Sequence, residues 1–298
     1  MRPGRCWRLA SGPEAHVHLN ADMASALSTL GVHARSARII TGVPSRVSAR
    51  ATVRVTLTDG RIVKVRRFRR LANAKRYRRL VPSIRHLPLP AILFSRGRIT
   101  VEEWIEGTTL ADLRPTRKRL RAAADILGTL HAIDKLGHRR RIALAPTRAF
   151  VAGVKRRITS LATARALLRG EAEILREAVG RLAPATAPTG LIHHDFCAEN
   201  IVENRRGRLY VIDNVGIDLG FLDFDLARTW YRWPMPDAWW RIFLAQYATW
   251  RPAPLTAGAP FWRIAAVVRS ARFRLTQRSP EVATPLRRLR LLIEELRR

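Results

Sequence analysis

Asp195, Asn200 and Asp213 are the residues of this chain whose types and spacing could do chemistry. Asp195 lies in the run LIHHDFCAENIV, Asn200 follows five residues on, and Asp213 comes thirteen residues later in LYVIDN. The order carboxylate, carboxamide, carboxylate suits phosphoryl transfer. The first carboxylate accepts or orients the proton of an attacking hydroxyl. The carboxamide and the second carboxylate are hard oxygen ligands, of the kind magnesium takes beside nucleotide phosphates. His, Asp and Asn are also turn formers, and Asp213 could simply end a strand. Spacing, order and context favour the chemistry.

The elements around these residues fit that role. Leu191 and Ile192 give a short apolar entry to a polar loop. Ile201 and Val202 start a strand, Asn204 to Gly207 form a turn, and Leu209 to Ile212 return. The pattern predicts a hairpin with Asp195 and Asn200 before its first strand and Asp213 after its second, so that all three oxygens face one cleft.

H-x-D-x-x-x-x-N followed by an I-D strand end resembles the aminoglycoside phosphotransferase and choline kinase-like family. DNVGIDLGFLDFDLA, Asp213 to Ala227, resembles the family's I-D-W-x-x-x-x-x-G-D-P-x-x-D-L-A stretch, with Gly220 and Asp225 on its glycine and second aspartate. Phe221 and Leu222 stand where the family has Asp-Pro. VEEWIEGTTL, Val101 to Leu110, resembles the interlobe hinge, and LGTLHAID, Leu127 to Asp134, the end of the long scaffold helix. The resemblance covers roughly residues 40 to 230. It implies an α+β, protein-kinase-like two-lobed fold: an extension over 1–35, a small strand-rich N-lobe over 36–106, and a larger helical C-lobe over 107–298. It implies ATP and Mg2+ as cofactors and a small-molecule hydroxyl as acceptor. Asp195 would be catalytic, and Asn200 and Asp213 would bind metal. The backbone of Glu103, Trp104 and Ile105 would meet the adenine edge. Asp225 would anchor the catalytic loop.

A phosphate-binding cation should come from the third strand. Alternation puts Ile62, Lys64 and Arg66 on one face, and Val63 and Val65 on the core face. Counted from Asp59-Gly60, the family pattern places the cation at Arg66, with Lys64 the runner-up. The glycine-poor stretch Thr41 to Ala51 is the candidate phosphate loop, and an ordinary hairpin turn fits it as well. The helix candidate Leu71 to Ile84 contains no acid, and no Asp or Glu occurs between Asp59 and Glu102. The usual lysine–glutamate pair of kinases cannot form in its standard way. That keeps a nucleotide-binding kinase-like pseudoenzyme as an alternative. A RIO-type nucleic-acid-associated kinase is a second alternative, disfavoured by the GFLDFDLA segment.

Further helices are expected from near Asn20 to Gly31, along Leu120, Ala124, Leu127 and His131, from Val154 to Val179, and after a Thr284 cap. Pro184 to Thr189 reads as a linker. His193 should brace the loop, and His194 should face solvent. His131 reads as a core residue. Trp230, Trp233, Trp239, Trp240, Trp250 and Trp262 read singly as packing and together as a marker of the acceptor region.

The chain has 298 residues, 47% of them hydrophobic, which suits a globular two-lobed unit. No apolar run is long enough for a transmembrane segment, and the basic N-terminus lacks the apolar core of a secretory signal. Two cysteines far apart, Cys6 and Cys197, make no disulfide framework, so a cytoplasmic setting is expected. The net charge is 55 − 23 = +32, and all but five of the cations are arginine. That charge points to an anionic membrane or nucleic-acid contact, or reflects coding composition alone. It makes the chain a poor host for a polycationic aminoglycoside. A neutral or anionic sugar is the favoured acceptor.

Overall fold

Period-two alternation in the first strands builds the sheet that carries the candidate cations. The computed structural model describes residues 19–40, 51–133, 143–250 and 259–297. All of the candidate phosphate loop but Ala51 lies outside the described residues. Helix α1 (Ala21–Thr29) starts at Asn20, whose side chain accepts from the Met23 N–H at 2.9 Å. It is followed by Gly31, at φ +68°. Strands β1 (Ala34–Ile39), β2 (Ala51–Leu57) and β3 (Ile62–Arg67) follow, then helix α2 (Leu71–Ser83) and strands β4 (Ile92–Arg96) and β5 (Ile99–Glu103). The strands form one antiparallel sheet in the order β1-β2-β3-β5-β4. Met23, Ala26 and Leu27 of α1 cluster with Val53, Val55, Val63, Val65 and Val101. Burying that apolar face commits the other face of β3 to Lys64 and Arg66.

The next stretch holds a short strand β6 (Thr108–Thr109), helix α3 (Arg117–His131), strand β7 (Ala143–Pro146), helices α4 (Arg148–Thr163) and α5 (Arg169–Leu182), and strand β8 (Thr186–Ile192). Two expectations are corrected here. The helix expected from Val154 to Val179 is two helices. Arg165 adopts φ +54° between them, and the turn folds α5 back so that Leu175 and Val179 join Val154, Ile158 and Leu161 in one core. The expected linker at Pro184–Thr189 runs into β8, which pairs with β7 on one side and β11 on the other. Its Pro, Ala and Thr composition reads locally as loop. Pairing with strands remote in sequence overrides that reading.

The expected hairpin is present, as strands β9 (Ile201–Glu203) and β10 (Leu209–Val211). The Asn204 side chain accepts from the Arg206 and Arg208 N–H groups at 3.0 Å each, and Gly207 takes φ +72° to close the turn. Strand β11 (Asp218–Phe221) and helices α6 (Leu222–Arg232), α7 (Asp237–Tyr247), α8 (Ala259–Thr276) and α9 (Ala283–Arg297) complete the chain. Ser279, not Thr284, caps the turn that leads into α9. The chain divides into two units. One takes the residues up to Gly107 together with Val202–Val215, and the other takes Thr108–Ile201 and Gly216 onward. The second unit is built around α8, which buries Phe261, Trp262, Ile264 and Ala265 to Val268 among α4, α5, α6 and α9. Phe221, in the place of the family's Asp, packs its ring on Phe150 and Trp262, 5.4 and 5.5 Å between centroids. An aromatic anchor thus stands at the start of α6 in place of an Asp-Pro turn. Among the described residues no helix is long and apolar enough to cross a membrane.

Candidate active site

In the first unit the two candidate cations on β3 are both buried, Lys64 at 7% exposure and Arg66 at 4%. Each has its own acid. Register sets Lys64 opposite Glu102 on β5, and the ammonium forms an ion pair with that carboxylate. Arg66 reaches Asp213, with Nη2 donating to Oδ1 at 2.7 Å. The acid missing from α2 is therefore supplied by a strand neighbour and by the residue after the hairpin. Helix α2 contributes Tyr77 instead. Burial and Glu102 push its phenol well above the usual range, so it stays protonated. Burial works against the Arg66 charge, but Asp213 and Glu102 overcome it and raise its proton affinity. Nε and Nη1 of Arg66 are buried and find no hydrogen-bond partner among the described residues. Asp213 sits at φ +59°, a strained backbone for a residue with a side chain. Of the expected adenine-edge residues, Glu103 donates its N–H to Ala91 O at 2.9 Å. Trp104 to Glu106 then leave the sheet as an irregular segment, and the Arg54 guanidinium lies 5.4 Å from the Trp104 ring centroid.

In the second unit the loop after β8 carries Asp195 and Asn200. Asp225, fully buried near the start of α6, accepts from the His193 and His194 N–H groups at 2.7 Å each. It also meets His131 Nε2 at 3.2 Å, and His131 Nδ1 lies 2.6 Å from the Tyr247 hydroxyl. Burial alone would raise the Asp225 carboxyl. The hydrogen bond and charge of His131, with His194 and His193, outweigh it and hold the carboxyl well below its ordinary range. The expected anchoring role of Asp225 is thus realised in these hydrogen bonds. His193 braces the loop too, its Nδ1 accepting from the Asp195 N–H at 3.3 Å. Gly216 leaves room for this turn, since a Cβ there would lie 2.7 Å from His193 O.

Asn200 Nδ2 donates to Asp195 O at 2.9 Å and to Oδ2 at 3.3 Å. The carboxamide nitrogen is spent on Asp195, which leaves its oxygen as the atom for a cation. Asp195 Oδ1 faces two guanidinium groups, Arg228 Nη2 at 3.3 Å and Arg232 Nε at 3.0 Å. Arg228 also donates to His194 O, and Arg232 Nη2 lies 3.7 Å from the Cys197 thiol. Burial, followed by Asp195, pushes that thiol well above its usual range, so it is no nucleophile.

Sequence reasoning missed Arg228, Arg232 and the character of His194. The two arginines were visible as an i, i+4 pair beginning three residues after Asp225, on a face that the Asp225 anchor must turn toward the loop. His194 does not face solvent as expected. It takes φ +69°, and burial lowers its imidazole to about 4, with Arg269 and Arg228 reinforcing and Asp225 opposing. The structure pairs Asp213 with Arg66 in one unit, and Asp195 with Asn200 in the other. Most of the tryptophans serve packing. Trp262 is core, Trp240 stacks on Phe243, and Trp250 donates to Asp125 at 2.8 Å.

The strand-rich first unit and the helical second are those of protein-kinase-like phosphotransferases. A family model described as the phosphotransferase enzyme family matches residues 39–292, and the chain belongs to that family. It is an enzyme of the expected class, a phosphotransferase with an alcohol group as acceptor. No curated protein matches the sequence. The choline kinase LicA from Streptococcus pneumoniae has a similar structure, with a TM-score of 0.67, 16% identity, and coverage of 91% of this chain and 96% of that one. The macrolide 2'-phosphotransferase MphH from Brachybacterium faecium is similar at a TM-score of 0.64 and 14% identity, over 89% and 96%. A ternary complex of APH(2")-IIa with streptomycin and ATP is similar at a TM-score of 0.59 and 17% identity, over 92% and 96%.

Proposed function

We propose that this protein transfers the γ-phosphoryl group of ATP to a hydroxyl of a small molecule, with magnesium as the metal. The observation that carries the reading is Arg66. A buried guanidinium that spends one nitrogen on Asp213 and keeps two desolvated N–H groups without partners is suited to phosphate oxygens. The donor set fits magnesium as well. Among the described residues no group of three or more His, Cys, Asp or Glu could form a metal centre of its own. One carboxylate and one carboxamide oxygen match an ion that keeps water and phosphate among its ligands. Asn200 and Asp213 would hold it, and when bound it would neutralise charge on the phosphates.

The chain's own residues do the rest by position and charge. Asp195 accepts a hydrogen bond from the acceptor hydroxyl and takes its proton. Asn200 fixes that carboxylate through two contacts. Arg66 grips phosphate, and Lys64 is held off by Glu102 as a structural pair. Glu103, Trp104 and Ile105 are the backbone positions for the adenine edge. The streptomycin, macrolide and choline named for similar structures all carry hydroxyls, which supports an alcohol acceptor here. The pseudoenzyme alternative rested on the missing helix acid, and the pairing of Arg66 with Asp213 and of Lys64 with Glu102 supports the enzyme reading over it.

The test is ATP consumption with magnesium across sugars, amino-alcohols and hydroxy acids. Asp195→Asn should lower turnover by about 10²–10⁴-fold while ATP affinity stays within a few fold. Equal inactivity of wild type and variant on every acceptor, with ATP still bound, would hand the reading to the pseudoenzyme.

A further inference from the structure

Within the second unit, the loop that carries Asp195 is held from behind by a chain of buried polar groups that begins on α7. Asp225 accepts from the His193 and His194 N–H groups at 2.7 Å each. His131, at the end of α3, sets Nε2 3.2 Å from Oδ2 of the same carboxylate. Tyr247, the last residue of α7, sets its hydroxyl 2.6 Å from His131 Nδ1. The two rings meet edge to face, with centroids 5.6 Å apart. His131 is 2% exposed, Tyr247 1% and Asp225 0%, so both bonds are shielded from bulk water. The end of α7 is fixed on α3 close by. Trp250 Nε1 donates to Asp125 at 2.8 Å, and the Trp250 ring lies over Gly128, where a Cβ would come within 2.6 Å of it.

A neutral imidazole carries one hydrogen, and the partner of one ring nitrogen decides what the other can do. Hydrogen on Nε2 donates to Asp225. Hydrogen on Nδ1 would turn a lone pair toward that carboxylate and break the chain. The first form leaves a bare Nδ1 in the interior, which is costly unless a donor meets it. A tyrosine O–H is such a donor. Packing accounts for the Tyr247 ring. It does not require the hydroxyl to fall on the one nitrogen that Asp225 leaves over.

We propose that Tyr247 is a positioning residue for phosphoryl transfer: its O–H donates to His131 Nδ1 and keeps the ring hydrogen on Nε2, so that Asp225 can hold the backbone that presents Asp195. This rests on the reading of Asp195 as the group that takes the proton of the acceptor hydroxyl. Tyr247 acts through His131 and Asp225 and not on the reacting atoms, and its effect is on how well the carboxylate is placed.

The experiment uses the full chain. Nitrogen NMR of labelled histidine reads the tautomer in the wild type without any substitution, with the His131 signals assigned by their loss in His131→Gln. The expected spectrum has Nε2 protonated and Nδ1 bare and hydrogen-bonded. Hydrogen on Nδ1 would overturn the proposal. Tyr247→Phe removes the hydroxyl and keeps the ring. It should lower kcat about 5–20-fold, the worth of one buried hydrogen bond, with KM for ATP within a few fold. Amide exchange at His193 and His194 should quicken in the same variant. The control is Gln246→Met, which breaks a neighbouring bond between the same helices, Nε2 to Asp125 Oδ1 at 2.7 Å, and leaves Trp250 in place. It should lower the melting temperature while kcat and both amides keep their wild-type values. An unchanged kcat in Tyr247→Phe would overturn the proposal. An equal loss of kcat in Gln246→Met would overturn it too, since packing of α7 on α3 would then explain both. If no acceptor supports ATP consumption, the amides decide. Faster exchange in Tyr247→Phe would keep the chain from Tyr247 to the loop and remove the turnover reading, and unchanged exchange would remove the chain. If Tyr247→Phe does not fold, the wild-type spectrum decides alone.

Discussion

The buried cations of the two units are handled in opposite ways. In the first unit Lys64 faces Glu102 and Arg66 faces Asp213, one acid for each cation. In the second, Arg228 and Arg232 divide a single oxygen of Asp195. Closed pairs fix geometry and leave little net field. Two guanidiniums on one carboxylate oxygen hold that carboxylate in place and leave a positive field beside it. The first arrangement suits residues that must hold a nucleotide in one register, and the second suits a carboxylate that must be held steady while meeting different acceptors.

The comparison breaks most sharply at Asp213. If its second role is to hold magnesium, Asp213→Ala should abolish the magnesium-dependent part of ATP binding in calorimetry. A folded variant that keeps that increment would remove Asp213 from the metal site.

The Lys64–Glu102 pair sharpens the contrast next. Glu102→Leu strands a buried ammonium and should cost about 3–5 kcal/mol in denaturant unfolding. The double change Glu102→Leu with Lys64→Met should recover most of that loss and leave ATP affinity within a few fold. Arg66→Met should weaken ATP binding far more than Lys64→Met does in the double variant. The reverse order would exchange the roles of the two cations.

In the second unit the sensitive group is His194. Its folded pKa lies near 4, below the ordinary 6.5. The unfolded chain therefore binds the extra proton first, and stability falls as pH drops from about 6.5 toward 4. The loss approaches about 3 kcal/mol once pH is below both values. His194→Gln should flatten unfolding free energy across that window. An equally steep profile in the variant would assign the dependence to other groups.

Much of the site was legible because phosphoryl transfer fixes residue type, order and spacing together. Asp195, Asn200 and the Asp225 anchor stand in one stretch of chain, and the hairpin carrying Asp213 declares itself through alternation and the Asn204–Gly207 turn. Partners remote in sequence were not legible. The pairing of Lys64 with Glu102 depends on β3 and β5 being neighbours across an intervening helix. Two helices read as one because a left-handed residue such as Arg165 has no local signature outside glycine and asparagine. Strand β8 read as linker because its hydrogen bonds come from β7 and β11. The acceptor side stayed dark for a related reason. In a chain with so many arginines, burial alone distinguishes those that do something.

Cys197, two residues past Asp195, is fully buried, and its thiol is held in the protonated form. Thiol reagents attack the thiolate, so the native loop should be inert to alkylation at neutral pH. With Cys6 replaced by serine, the rate at which Cys197 is labelled then becomes a clock for the loop. It counts only the moments when the segment bearing Asp195 comes away from α6, whether heat, acid or a substitution provokes them.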